Sequence, residues 1–154
     1  MMSVVLWLTQ DLFTVLTSGA RQVPEIFLLG LVYRLMTGDR DANISLIWTA
    51  FAGGLLWDLR WVGIPGFFTL SYVCVVMIAI WVWYTLPSSG RTPSVIFFLF
   101  WTAQLVPGIL SLLILGHNTG NVSWTFFAVQ QGCAVPLSLL GVFFYFRHRK
   151  DQNA

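Results

Sequence analysis

The chain has 154 residues, 57% of them hydrophobic and 9% charged, with a formal net charge of +2 and a mean hydropathy of +0.78. Average soluble domains carry roughly 25% charged residues, so the composition excludes that class, and eight basic residues are too few for a nucleic-acid surface. At about 20 residues per spanning helix the length allows five or six spans, read as one integral membrane domain over residues 1–154.

Two cysteines, Cys74 and Cys133, fall inside apolar stretches and support neither a disulfide framework nor a metal site. The first residues carry no Lys or Arg, Asp11 interrupts the apolar run, and no small-residue cleavage site follows. A cleavable signal peptide is therefore not expected.

The first predicted span, residues 3–17, is short and contains Gln10 and Asp11. An ionised Asp in a lone span is costly, so the helix must tuck Asp11 against a neighbour or lie at the interface. The second, residues 24–37, opens on Pro24 and Glu25. Pro24 suits a first helical turn, where its missing N–H costs nothing, and Glu25 complements the positive helix start. A helix-start role for Glu25 is favoured over transport or proton handling. Tyr33 and Arg34 mark its far interface, and a polar turn follows.

The third span, residues 43–59, carries small residues four apart: Ser45, Thr49 and Gly53, with Ala50 and Gly54 beside them. Such stripes let helix backbones approach closely, and internal packing is favoured over a partner interface. Asp58 ends this span, where a negative charge opposes the helix dipole. It is expected to accept N–H groups of the turn Gly63, Ile64, Pro65, Gly66, or to pair with Arg60. Partner contact and ion handling are the other roles open to it. Arg60 can also snorkel to the headgroups.

The fourth span, residues 67–86, ends in Trp81, Trp83 and Tyr84, read as an interfacial aromatic belt. The fifth, residues 94–115, contains Gln104 and Pro107. A polar loop follows, with His117 and an Asn121-Val122-Ser123 sequence that fits a glycosylation acceptor by pattern alone. The sixth, residues 124–146, holds Gln130 and Gln131, expected on different faces, and Pro136. It should stop sharply at Arg147, leaving a cytoplasmic tail, residues 147–154. With six spans the basic residues divide six against two between the two sides, which places both termini in the cytoplasm; if the first segment does not span, only the N-terminus changes side.

No Gly-rich phosphate loop, Ser/His/Asp set or pair of acids within one span occurs, and His117 and His148 lack plausible partners. The residues alone point to an all-α bundle of about six transmembrane helices, without catalysis or cofactor, acting as a binding subunit or scaffold.

The order of signals resembles the MreD family of bacterial rod shape-determining membrane proteins. Pro24, Glu25 and Tyr33 match a Pro and polar residue opening an apolar helix that ends near an aromatic. Gly53, Gly54, Leu55, Leu56 and Asp58, then the turn Gly63 to Gly66, match a G-x-L-x-D-like helix end followed by a small turn into a long span. Pro136 and the basic run Arg147 to Lys150 match the last helix. The likeness covers residues 24–150. It departs at Glu25, where the family often has Asp or Asn, at Pro65, and in the short, acid-bearing first segment. The resemblance implies a non-catalytic subunit of the cell-elongation machinery acting in lateral peptidoglycan synthesis. Implied partners are an MreC-like membrane-anchored protein, the MreB filament, the RodA polymerase and its penicillin-binding transpeptidase. The family is also similar in fold to the substrate-binding subunits of energy-coupling-factor vitamin transporters, which supplies the alternative function. Against that alternative stand the absence of an Ala-x-x-x-Ala pattern in the first helix and the few convergent polar groups available for a vitamin pocket.

Overall fold

The computed structural model describes residues 2–17, 23–38, 40–62, 65–87, 90–119 and 124–152, and among these it is helical apart from short connections. Six α-helices follow in order: α1 (Met2–Leu16), α2 (Ile26–Thr37), α3 (Asn43–Trp57), α4 (Phe67–Thr85), α5 (Pro93–Thr119) and α6 (Trp124–Gln152). A 3₁₀ turn, Arg40–Ala42, leads into α3, and a π-helical turn, Asp58–Val62, extends it. Among the described residues three helices are long and apolar enough to cross a membrane, over Phe67–Thr85, Pro93–Leu113 and Phe127–Lys150.

The bundle is built around its shortest α-helix. α2 has 12 residues, about 18 Å of helix against a hydrocarbon core of about 30 Å. It touches all five other helices, and Phe27, Leu28, Leu31, Val32, Leu35 and Met36 are all buried. Apolar residues lie on nearly every side of it, as a helix surrounded by other helices requires. The outer helices instead turn Leu70, Trp81, Phe98, Leu113, Phe143 and Phe144 outward.

α1 is inverted relative to a soluble surface helix. Its buried residues are Gln10, Asp11 and Thr14, while Val4, Val5, Leu8, Leu12 and Leu16 are exposed. Such a helix is consistent with apolar surroundings outside the bundle and polar attachment within it.

Several sequence expectations are corrected. Helix α2 starts at Ile26, so Pro24 lies outside it, its carbonyl accepting the Ile26 N–H at 2.8 Å. Helix α5 runs through Thr119, which puts His117 in a helix rather than a loop; Asn121 lies outside the described residues. Helix α6 continues through Gln152 instead of stopping at Arg147, because nothing in the run Arg147 to Gln152 breaks a helix and the solvated basic side chains are good helix formers. Trp83 faces inward, 4% exposed, whereas Trp81 faces out. Gln130 and Gln131 do not diverge: a Cβ on Gly108 of α5 would lie 3.1 Å from Gln130 Oε1 and 3.0 Å from Gln131 Nε2. Cys74 and Cys133 are free and exposed on the outer surface.

Candidate functional site

Among the described residues three buried carboxylates join helices: Asp58, Glu25 and, in an ion pair with the half-exposed Arg60, Asp11. Asp58 is 0% exposed. Its Oδ2 accepts the Gly66 N–H at 3.0 Å, the Thr69 N–H at 3.0 Å and the Thr69 hydroxyl at 2.7 Å, and Oδ1 accepts the Phe68 N–H at 2.7 Å. The geometry explains why an acid stands at the unfavourable end of α3. Gly66 occupies the N-cap position of α4 and has no side chain to cap with. Asp58 supplies the missing cap from eight residues upstream, on the N–H groups of the second and third residues of α4, at the positive end of that helix. The chain reaches this position because α3 does not terminate at Asp58, whose φ of −59° and ψ of −45° are helical, but widens into the π-helical turn.

Two glycines make the approach possible. A Cβ at Gly54 would lie 2.6 Å from Thr69 Cα and 2.9 Å from Thr69 N, so at this point α3 and α4 touch backbone to backbone. Gly66 has φ +103°, a left-handed conformation that glycine adopts without strain. Pro65 lies beside it in the exposed turn, and Gly63 falls outside the described residues. Gly53 faces the Phe27 ring, and its carbonyl accepts the Trp7 indole N–H at 3.1 Å. Ser45 is exposed, and the Thr49 hydroxyl is turned back onto the Ser45 carbonyl, so the close packing on α3 is carried by Ala50, Gly53 and Gly54.

Glu25 precedes α2 and is 5% exposed. Its carboxylate makes no capping bond to its own helix. Oε2 accepts the Tyr72 hydroxyl of α4 and, at 2.6 Å, the Gln10 side-chain amide of α1. The same Gln10 accepts the Phe27 N–H on Oε1 at 2.9 Å. From α5, Gln104 pairs with the backbone of Glu25 in both directions, accepting its N–H at 2.7 Å and donating to its carbonyl at 2.9 Å. A helix that begins inside a bundle leaves orphan N–H groups that water cannot reach. Gln10 and Gln104 satisfy two peptide N–H groups at this start. Glu25 thus stands at the helix start as expected, but its side chain does not serve that start: it joins α1 and α4 to α2, while Gln104 of α5 holds its backbone.

Arg60 pairs with Asp11, Nε to Oδ1 at 2.7 Å, rather than with Asp58, whose oxygens are already occupied. Trp61 donates its indole N–H to the same Asp11 oxygen at 2.9 Å. The acid in α1 is thereby tucked against the π-helical turn. Pro136 is exposed in the middle of α6 and joins none of these carboxylate sites.

Gln10, Thr69, Tyr72 and Gln104 were not singled out as site residues by sequence. Gln10 and Gln104 could have been found as amides in apolar helices, but Tyr72 sits in a span so uniformly apolar that no face is marked. The expectation of few convergent polar groups is also corrected, since Gln10, Glu25, Tyr72 and Gln104 converge from four elements. All four are bonded to one another or to backbone, which makes the cluster a junction first. Comparison of the chain with models of known protein families, with curated proteins and with solved structures found no match.

Proposed function

We propose that this protein is a non-catalytic membrane subunit of the MreD type, which maintains rod shape by organising lateral peptidoglycan synthesis together with an MreC-like partner. One observation carries the reading. Each buried acid among the described residues is engaged by the protein itself: Asp11 by Arg60 and Trp61, Glu25 by Tyr72 and Gln10, Asp58 by the start of α4. Intramembrane acids usually mark ion or substrate pathways, but here their hydrogen-bonding capacity goes into joining helices. That is what a scaffold requires of them. The ordered signals from Pro24 to Lys150 supply the family direction, and the basic residues orient the C-terminus toward the cytoplasm of an inner membrane.

The second reading, a substrate-binding subunit of an energy-coupling-factor vitamin transporter, is favoured by the convergence of Gln10, Glu25, Tyr72 and Gln104. Depletion separates the two. The scaffold reading expects rod-shaped cells to round and an MreC-like protein to co-purify with the chain. Cells that stay rod-shaped but need a vitamin supplement would establish the transporter reading instead.

A further inference from the structure

The corner between α4 and α5 carries a basic side chain that none of the carboxylate sites uses. The Arg91 guanidinium stacks over Trp83, 4.1 Å from the ring centroid, and donates to the Trp83 carbonyl at 3.3 Å. Trp83 in turn meets Tyr145 of α6 edge-on, centroids 5.9 Å apart at 90°. His148 and Arg149 follow Tyr145 by three and four residues, so they share its helix face one turn farther out. Arg147, His148, Arg149 and Lys150 are all exposed and all helical. Arg91 and Arg149 thus lie on the Trp83 side of α6, while Arg147, which follows the exposed Phe143 and Phe144 by four and three residues, and Lys150 end the same helix on its outer side. Among the described residues none of the four is paired with an acid, and Arg91 Nε is buried without a hydrogen-bond partner.

We propose that this corner binds the phosphate of an anionic glycerophospholipid. A guanidinium offers a planar fork of donors suited to phosphate oxygens. Stacking on Trp83 holds that fork in place before any ligand arrives. The first turn of α5, immediately after Arg91, contains no acid, so its positive end does not face a competing carboxylate. The ligand is a lipid rather than a free anion because the basic turns of α6 continue into an exposed apolar face: Leu139, Leu140, Phe143 and Phe144 lie within about two turns of Arg147. Acyl chains would lie along that face while the phosphate met the cations. Basic pockets between helices at the cytoplasmic leaflet recognise anionic headgroups in this way, and the orientation proposed above puts the corner there.

Native mass spectrometry of the full chain in neutral detergent tests the site, with phosphatidylglycerol and phosphatidylcholine as probes. Phosphatidylglycerol should be retained and phosphatidylcholine lost. The variant R147Q/R149Q/K150Q, which alters exposed side chains alone, should weaken phosphatidylglycerol binding on the order of a hundredfold. Arg91→Gln should weaken it further, and the triple variant keeps the test independent of any loosening at Trp83. Equal retention of the two lipids, or full binding by the triple variant, would overturn the proposal. Displacement of phosphatidylglycerol by millimolar inorganic phosphate would assign the corner to a free anion and overturn the lipid.

Discussion

Asp58 and Glu25 are both buried carboxylates, yet different parts of the chain satisfy them. Asp58 is bonded by groups eight, ten and eleven residues away, all in the turn and first residues of α4. Glu25 is reached by Gln10 from 15 residues before it and by Tyr72 from 47 residues after it, while its backbone is held by Gln104, 79 residues on. The first is a local device: one helix caps the next. The second exists after four elements have assembled. An acid in an apolar bundle can thus fasten a turn or fasten a fold, and the two should respond differently to substitution.

The largest effect is expected at the local site. Asp58→Leu removes the acceptor of three peptide N–H groups and a hydroxyl. Each buried donor left unpaired costs about 1–3 kcal/mol, and whole domains are stable by roughly 5–15 kcal/mol. The variant should largely disappear from the membrane fraction, and Asp58→Ala should follow it closely. Asp58→Asn should be intermediate: an amide oxygen at Oδ2 keeps three bonds, but the NH₂ at Oδ1 then faces the Phe68 N–H. Thermal melts of the detergent-purified variants should rank the parent above Asn, and Asn above Ala and Leu.

Next comes the close approach that lets Asp58 reach its partners. Gly54→Ala places a methyl group 2.6 Å from the Thr69 backbone, a contact that backbone atoms cannot relieve by rotating. Overpacking of this kind costs about 1–3 kcal/mol. A melt unchanged by Gly54→Ala would mean that α3 and α4 are farther apart than described.

The junction should show a smaller loss but stronger coupling. Glu25→Ala leaves the Tyr72 hydroxyl and the Gln10 amide without their shared acceptor, whereas Glu25→Gln keeps an oxygen for one of them. A double-mutant cycle with Glu25→Gln and Tyr72→Phe should give a combined loss well below the sum of the single losses, since residues in one network are non-additive by about 0.5–3 kcal/mol. The same cycle across Glu25 and Thr69, which share no bond, should be additive. Coupling across both pairs would erase the distinction between the two sites.

The smallest effect belongs to the ion pair. Arg60 is about half exposed and Asp11 slightly so, and exposed pairs contribute about 0–1 kcal/mol. Arg60→Gln should shift the melt little, because the Trp61 indole N–H still donates to Asp11; the charge swap Asp11→Arg with Arg60→Asp should fall below the parent, because an arginine offers that N–H no acceptor.

The same contrast separates what could be read in the sequence from what could not. Asp58 stood at a helix end beside a glycine-containing turn, so its bonds to the start of α4 follow from chain proximity and helix-capping chemistry. Gly53 and Gly54 announced close packing because small residues in an apolar helix have few other uses. Asp11 announced a neighbour because a lone acid cannot remain unpaired in an apolar span. The identity of that neighbour was another matter: Arg60 is two residues from Asp58 in sequence but reaches α1 in space. The Glu25 junction was hidden for the same reason. Tyr72 and Gln104 lie in helices apolar on every side, where periodicity marks no face, and only the assembled bundle brings them to α2. The extension of α6 beyond Arg147 is hidden because a basic run marks a membrane boundary without ending a helix, Arg and Lys being good helix formers.

The central claim is that the buried acids hold the bundle together rather than meet a partner or an ion. It is tested most directly by measuring the membrane abundance of Asp58→Leu beside the parent chain, with co-purification of the proposed MreC-like partner scored on the same samples. The account predicts that abundance falls to a small fraction of the parent and that whatever protein remains binds in proportion. Normal abundance with lost co-purification would contradict it and make Asp58 a contact residue.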